Sequence, residues 1–339
     1  MKKVYVVGVF ILVLLFSGCS EKKPLSLEGE NELKASETTP FPTLAPDWSN
    51  WTDSDVSSSY GGAVNLWDKE DTVFGKWTVI TGDTVEAKLV YRWDLDKYKE
   101  YGEAKTVTVV TVNDSVCEFE LNGQLSQNGV LLADKVVNQE TVEPLLITDC
   151  TLNEGENKLG IHIAVYFPQI GHVVTSSLIR NFQAENSRVQ NATGLCGTEN
   201  DLEYSVTTSE GLDEREIKAE LRKGSEYYFN QLSYDSSKRC TTIPQDGELG
   251  YEFRNTGGSN GVTPEERDVL ILVLKNGEPI PVQSDKNVYL CELSEQELCR
   301  KIPIEVKGEP GEYAHMAFVY FDLSQDGSTS FYERLFCFQ

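Results

Sequence analysis

Alternation of apolar and polar residues with a period of two dominates this chain from Thr72 onward. Val85, Ala87, Leu89, Tyr91 and Trp93 alternate with Glu86, Lys88, Val90 and Arg92. Cys117, Phe119 and Leu121 alternate with Glu118, Glu120 and Asn122, and Leu159, Ile161, Ile163, Val165 and Phe167 with Lys158, Gly160, His162, Ala164 and Tyr166. Successive side chains of a strand point to opposite faces, so each segment predicts a strand with one face on a core and the other on water or on a second layer. Asp268–Lys275 is apolar throughout its interior and predicts a central strand buried on both faces. Asn122-Gly123, Asn128-Gly129, Asp246-Gly247, Asn276-Gly277 and Asp326-Gly327 punctuate these segments as tight turns. Helical periodicity is almost absent; the best case is a short turn at Ser294–Leu298. Many short strands with little helix predict an all-β fold of two antiparallel β-sandwich domains. The polar stretch around residues 184–200 separates them, and all five tryptophans lie before it. The domains then span 48–190 and 191–339, the second an immunoglobulin-like or similar sandwich.

Charge narrows the function classes. The 339 residues carry 54 Asp and Glu against 30 Lys and Arg, a net charge of −24, which repels phosphate backbones and excludes nucleic acid as a natural partner. The acids are spread along the chain, so no single charged arm stands out. Three histidines leave little room for histidine-based catalysis or metal binding.

The beginning of the sequence speaks to compartment. Lys2 and Lys3 precede an apolar run from Val4 to Phe16, too short to span a bilayer, which needs roughly 20 residues. Ser17, Gly18 and Cys19 follow, completing an export-signal pattern. Leu15-Phe16-Ser17-Gly18-Cys19 resembles the lipobox of prokaryotic lipoproteins, with Phe16 where leucine is more usual. The resemblance implies removal of a signal peptide at 1–18, a diacylglycerol thioether on Cys19, and anchoring at the extracytoplasmic face of the cell membrane. Residues 19–47 are polar, end near Pro42 and Pro46, and lack hydrophobic periodicity. They are expected to act as a flexible tether, about 30 Å long on average as a coil.

The remaining cysteines fit an oxidising compartment. Cys117, Cys150, Cys196, Cys240, Cys291, Cys299 and Cys337 form no Cys-x-x-Cys pair and have no His-x-x-x-His tract, which argues against zinc and for disulfides. Cys117 with Cys150, and Cys291 with Cys299, are the candidate pairs; connectivity does not follow from sequence. Asn50, Asn113 and Asn191 head N-glycosylation sequons.

Val116–Gln124, a strand ending in Asn122-Gly123, resembles the corresponding strand of galactose-binding-like jelly rolls, such as the sugar-binding domain of family 2 glycoside hydrolases. Leu152-Asn153-Glu154-Gly155-Glu156-Asn157-Lys158-Leu159-Gly160-Ile161 resembles that family's entry into its next strand. Gly155 permits the turn and Asn157 can bond nearby backbone. The resemblance covers roughly residues 65–185 and implies an eight-stranded jelly-roll-like sandwich. It implies neither catalysis, since the catalytic barrel of that family has no counterpart here, nor sugar binding as such.

Candidate chemistry is sparse. Gly257-Gly258-Ser259-Asn260-Gly261 matches the nucleophile-elbow pattern, but no strand–helix alternation surrounds it, and a flexible loop explains it. Thr263-Pro264-Glu265-Glu266 looks like a helix N-cap whose helix would end at once. Asp322–Glu333 approximates a twelve-residue calcium loop, with Asp322, Ser324, Asp326 and Glu333 as ligands; a hairpin turning at Gln325-Asp326-Gly327 explains the same residues. No other cofactor is implied. Trp48, Trp51 and Trp67, with Tyr60, lie among polar residues, either stacking on sugars or capping the sandwich. His162, His172 and His315 read as structural or solvated. The expected protein is a non-enzymatic, membrane-anchored lipoprotein that binds a ligand, with carbohydrate the leading class. The alternative is a structural or assembly protein whose sandwiches contact other proteins; a hydrolase is the weaker third.

Overall fold

The computed structural model describes residues 62–70, 73–93, 103–136, 140–185, 194–229, 233–235, 240–243, 249–255, 263–324 and 329–339. The first sandwich runs through β1 (Gly62–Trp67), β2 (Val79–Thr81), β3 (Val85–Trp93), β4 (Glu103–Val112), β5 (Ser115–Val116), β6 (Glu118–Leu121), β7 (Gln124–Leu125), β8 (Val130–Val136), β9 (Glu140–Asp149), β10 (Gly155–Phe167) and β11 (His172–Glu185). Sheet I has the order β1-β3-β9-β6-β7, and sheet II the order β2-β11-β10-β4-β5 with β8 also on β4. The second sandwich runs through β12 (Gly197–Thr198), β13 (Ser205–Thr208), helix α1 (Glu214–Leu221), β14 (Glu226–Phe229), β15 (Ser233–Asp235), β16 (Cys240–Ile243), β17 (Leu249–Arg254), β18 (Arg267–Lys275), β19 (Glu278–Ile280), β20 (Val288–Leu293), β21 (Glu297–Ile304), β22 (Tyr313–Asp322) and β23 (Thr329–Phe338). Sheet III has the order β12-β20-β18-β22-β23-β16-β15 with β19 on β18, and sheet IV the order β13-β21-β17-β14.

The all-β, two-sandwich expectation holds, with two refinements. Sheets I and II have five and six strands, more than the eight in all that the jelly-roll resemblance implied. Three short pairings are parallel rather than antiparallel: β2 with β11, β12 with β20, and β16 with β23. In each, a strand of two to four residues lies beside a longer one, so the direction of its arrival costs few ladder bonds.

Three apolar layers hold four sheets. Leu159, Ile161, Ile163, Val165 and Phe167 of β10 enter the core between sheets I and II, beside Val85, Ala87 and Leu89 of β3. Val269, Ile271 and Val273 of β18 enter the core between sheets III and IV. The opposite faces of these strands meet each other. Ala164 and Tyr166 of β10, Val107 and Val109 of β4, Leu270, Leu272 and Leu274 of β18, and Ala317, Val319 and Phe321 of β22 form a third core between sheets II and III. Both sandwiches belong to one compact unit. Continuous burial of β18 is thereby explained: its even residues face one layer and its odd residues the other.

Turn chemistry sets the hairpins. Asn122, Asn128 and Asn276 adopt φ of 51°, 52° and 52°, each followed by glycine at positive φ. The Asn276-Gly277 turn joins β18 to β19 and presses on the first sandwich; a Cβ on Gly277 would sit 2.2 Å from Tyr166 Cδ1. Asn276 Oδ1 accepts the backbone N–H of His315 at 2.8 Å, fixing the turn to β22. Asp246-Gly247 and Asp326-Gly327 lie outside the described residues.

Helix α1 escaped the sequence reading. Asp213 caps it, its Oδ1 accepting N–H groups of Arg215 at 2.8 Å and Glu216 at 2.9 Å, while Glu216 reaches back to the Asp213 N–H at 2.9 Å. That capping box was legible in Asp213-Glu214-Arg215-Glu216, but an eight-residue helix gives too few turns for periodicity to show. At Ser294–Leu298 the chain instead makes the turn between β20 and β21, with the Glu297 N–H on Ser294 O at 3.1 Å.

Candidate functional site

One group of buried polar side chains lies in the seam between sheets II and III, and a second, Glu252, Arg254, Glu297 and Arg300, lies on β17 and β21 of sheet IV. All three histidines lie in the seam. His162 is fully buried on β10, its Nδ1 2.9 Å from Ser177 Oγ and its Nε2 3.1 Å from Thr111 Oγ1. Its ring meets Phe321 of the second sandwich at 5.2 Å. Burial first, and the Lys158 charge second, push its pKa down to about 3, so the ring is neutral at physiological pH. His172 opens β11, and its Nδ1 sits 2.5 Å from Glu333 Oε1 on β23. The second oxygen of Glu333 accepts the Val173 N–H at 2.8 Å and lies 3.4 Å from His315 Nε2. Burial opposes ionisation of Glu333, but bonds from His172 and His315 and their charge overcome it and hold the carboxyl at about 2.

Further ion pairs line the same seam. Lys105 Nζ of the first sandwich meets Glu278 Oε1 of the second at 2.5 Å. Lys158 Nζ lies 2.6 Å from Asp114 Oδ1 and donates to Leu323 O at 3.1 Å. On the opposite faces of β18 and β22, toward sheet IV rather than the seam, Arg267 Nη1 and Asp322 Oδ2, both deeply buried, stand 3.2 Å apart, and Arg267 Nε donates to Asn255 Oδ1 at 3.0 Å. The buried His172–Glu333 pair and the partly exposed Lys105–Glu278 pair each join one sandwich to the other, and a paired charge of this kind specifies how two layers dock.

Several expected sites fall elsewhere than the sequence suggested. Asp322 and Ser324 bond each other, Ser324 N donating to Asp322 Oδ1 at 2.9 Å, and Asp322 is also matched to Arg267. Glu333 lies opposite Ala317, five rungs along the β22–β23 ladder from Asp322, or about 17 Å at a 3.3 Å rise per residue. The structure therefore does not bring Asp322 and Glu333 to one ion, and the hairpin explains the motif; Asp326 lies outside the described residues. Trp67 is half-buried on β1 opposite Lys88. Trp48, Trp51, Tyr60, Cys19 and the Gly257–Gly261 pattern are outside the described residues. After that loop, Thr263–Glu266 leads into β18 with no helix. Asn113, head of a sequon, has its side chain committed: its Nδ2 donates to Thr151 O and Asn157 Oδ1, and its Oδ1 accepts the Lys158 N–H. Asn157 bonds Asn153 and Gly155 as the turn reading required.

The seven cysteines of the described residues are thiols. Cys291 and Cys299 are not joined. The Cys291 thiol touches Arg300 and burial pushes it up to about 12, whereas Cys299 lies opposite Arg254 on the neighbouring ladder. Cys117 and Cys150, by contrast, are in side-chain contact.

The surface carries a different feature, one the sequence reading passed over. Val73, Trp77 and Val79 are 71%, 85% and 51% exposed, all within one short segment leading into edge strand β2. Lys76 Nζ stands 4.8 Å above the Trp77 ring. Leu125 and Leu132, also exposed, flank a cleft of about 420 Å³ bounded by Gln127, Pro279 and Asn287. Trp77 interrupts no alternating run, so nothing in the pattern set it apart from tryptophans that cap a core.

No protein-family model matches the chain, and no curated protein matches it. Solved structures similar to it are all-β. The Escherichia coli chaperone DraB is 9% identical over 81% of this chain and 97% of its own, at a TM-score of 0.24. The C-terminal domain of the Streptococcus agalactiae antigen I/II polypeptide BspA is 9% identical over 82% of this chain and all of its own, at 0.21. The C-terminal domain of Streptococcus pyogenes AspA is 8% identical over 83% and all of its own, at 0.23. At these TM-scores the likenesses assign the chain to no family.

Proposed function

We propose that this chain is a non-catalytic structural or assembly protein, tethered through a lipid on Cys19 at the extracytoplasmic face of a membrane, whose first sandwich contacts another protein. The observation that carries this reading is the exposed apolar segment Val73–Val79, centred on Trp77. A tryptophan buries about 150–250 Å² when covered, worth roughly 4–6 kcal/mol at 25 cal/mol per Å², and tryptophans dominate protein contacts for that reason. The ion pairs across the seam support the same reading, because they are used in docking the two sandwiches.

Photo-crosslinking from position 77 of the full chain in its native membrane tests the proposal, with position 206 on β13 of the second sandwich as comparison. A discrete protein adduct from 77, absent from 206, is the expected result. The exposed indole ring also favours a second reading, stacking on a sugar face. Glycan binding that disappears in Trp77→Ala, without a protein adduct, would replace the first reading with the second.

A further inference from the structure

Cys117 and Cys150 stand where the sequence cannot put them, at the adjoining ends of two paired strands. Cys117 directly precedes β6, and Cys150 directly follows β9. These strands are antiparallel, and their ladder ends, past a bulge between Glu118 and Phe119, at Glu118 opposite Asp149, so Cys117 and Cys150 face each other just beyond its last rung. Directly opposed residues of an antiparallel pair have Cα atoms about 4.5–5.5 Å apart, inside the span of about 4.4–6.8 Å that a disulfide requires. Their side chains touch, and both residues are fully buried in the core between sheets I and II. The backbone at each is held independently. The Cys117 N–H donates to Val110 O at 3.0 Å, and Asn113 Nδ2 grips Thr151 O, one residue beyond Cys150, at 3.1 Å. Each of the other cysteines is less well placed. Cys240 and Cys337 share a small apolar cluster, but on the β16–β23 ladder Cys337 lies opposite Thr242, two residues along from Cys240. Cys196 is half-buried at the seam near Val116.

We infer that Cys117 and Cys150 are the chain's disulfide-forming pair, joined during folding under oxidising conditions. The bond arises by exchange with a disulfide donor of the glutathione or oxidoreductase class. One Cys thiolate attacks the donor, forming a mixed disulfide and releasing one donor thiol. The second Cys thiolate then attacks the mixed disulfide, forming the Cys117–Cys150 bond and releasing the other donor thiol. The two cysteines together lose two electrons and two protons, which the donor gains as two thiols. The bond closes a loop that contains β6, β7, β8 and β9 and ties the ends of β6 and β9 together.

The test refolds the denatured full chain in a mixture of oxidised and reduced glutathione, blocks free thiols with N-ethylmaleimide, and maps peptides without reduction. The expected product is one species carrying two fewer maleimide adducts than the fully reduced, alkylated chain, with a Cys117–Cys150 linked peptide and every other cysteine alkylated. Reduction should lower the unfolding temperature of this species and leave that of Cys117→Ser/Cys150→Ser unchanged. Alkylation of both cysteines after oxidative refolding, or their pairing with other partners, would overturn the inference. The inference draws on the export reading only for the setting. If protein taken from cells carries both as thiols while the refolded chain carries the bond, the export reading fails and this pairing stands.

Discussion

Replacing Glu333 by Gln removes a charge from the seam while keeping the size of the side chain. Glu333 is faced by His172 and the Val173 N–H from sheet II and by His315 from its own sheet, with Tyr166 and Tyr227 nearby. Its carboxyl is lowered from 4.5 to about 2. A folded-state pKa below the unfolded value means that the stabilisation is fully present above about pH 4.5 and is lost as pH falls through about 2. A shift of this size corresponds to about 3 kcal/mol at pH 7. At pH 3 the same shift leaves about 1.4 kcal/mol, since most unfolded chains are by then protonated at this residue while most folded ones are not. Urea denaturation of Glu333→Gln and the unchanged protein, at pH 7 and pH 3, should therefore show a deficit that shrinks by about half on acidification. His162 loses stability over the same range, but it does so in both proteins and cancels from the difference. A deficit equal at both pH values would refute the charge argument and leave only a packing effect. A deficit below about 0.5 kcal/mol at pH 7 would show that the two histidines do not hold the carboxylate as described.

Phe321→Ala opens a void against His162 in the third core and should cost about 3–5 kcal/mol by urea denaturation, with a smaller loss showing that the seam collapses around it. Gly277→Ala should destabilise by more than about 1 kcal/mol, because φ there is 79° and the added methyl meets Tyr166; a neutral result would mean that the turn does not press on the first sandwich. His162 is lowered from 6.5 to about 3, so stability should fall with decreasing pH across that window by about 1.4 kcal/mol per unit, and His162→Gln should abolish that slope if the neutral ring causes it. Arg267→Ala strands Asp322 and should cost about 3–5 kcal/mol at pH 7, against much less in Arg267→Ala/Asp322→Ala.

Period-two alternation placed β3, β6 and β10, and an unbroken apolar run placed β18, within a few residues, because a face that must be buried leaves a mark in composition that loops and edges do not. Asn-Gly dipeptides were equally legible, as few other residues tolerate positive φ. What alternation could not express was which second layer Gly160, His162, Ala164 and Tyr166 would meet, since that depends on Leu270, Leu272 and Leu274 more than a hundred residues away. The acid at 333 shows the same limit from the other side. Its spacing from Asp322 suits a calcium loop, yet the pleat carries it down the ladder to two histidines on separate sheets. Cys117 and Cys150 were named as one of two candidate pairs because they share a region; only the β6–β9 register separates them from Cys291 and Cys299. Trp77 had no pattern at all to announce it.

The shared layer between sheets II and III has a practical consequence for anyone cutting the gene. Severed near residue 190, the first half would display a greasy wall of valines with Ala164 and Tyr166, and the second one of leucines, valines and Phe321, that each former neighbour once hid. Neither piece is a fair surrogate for the intact polypeptide, and a fragment that clumps on expression says nothing against the sandwich it contains.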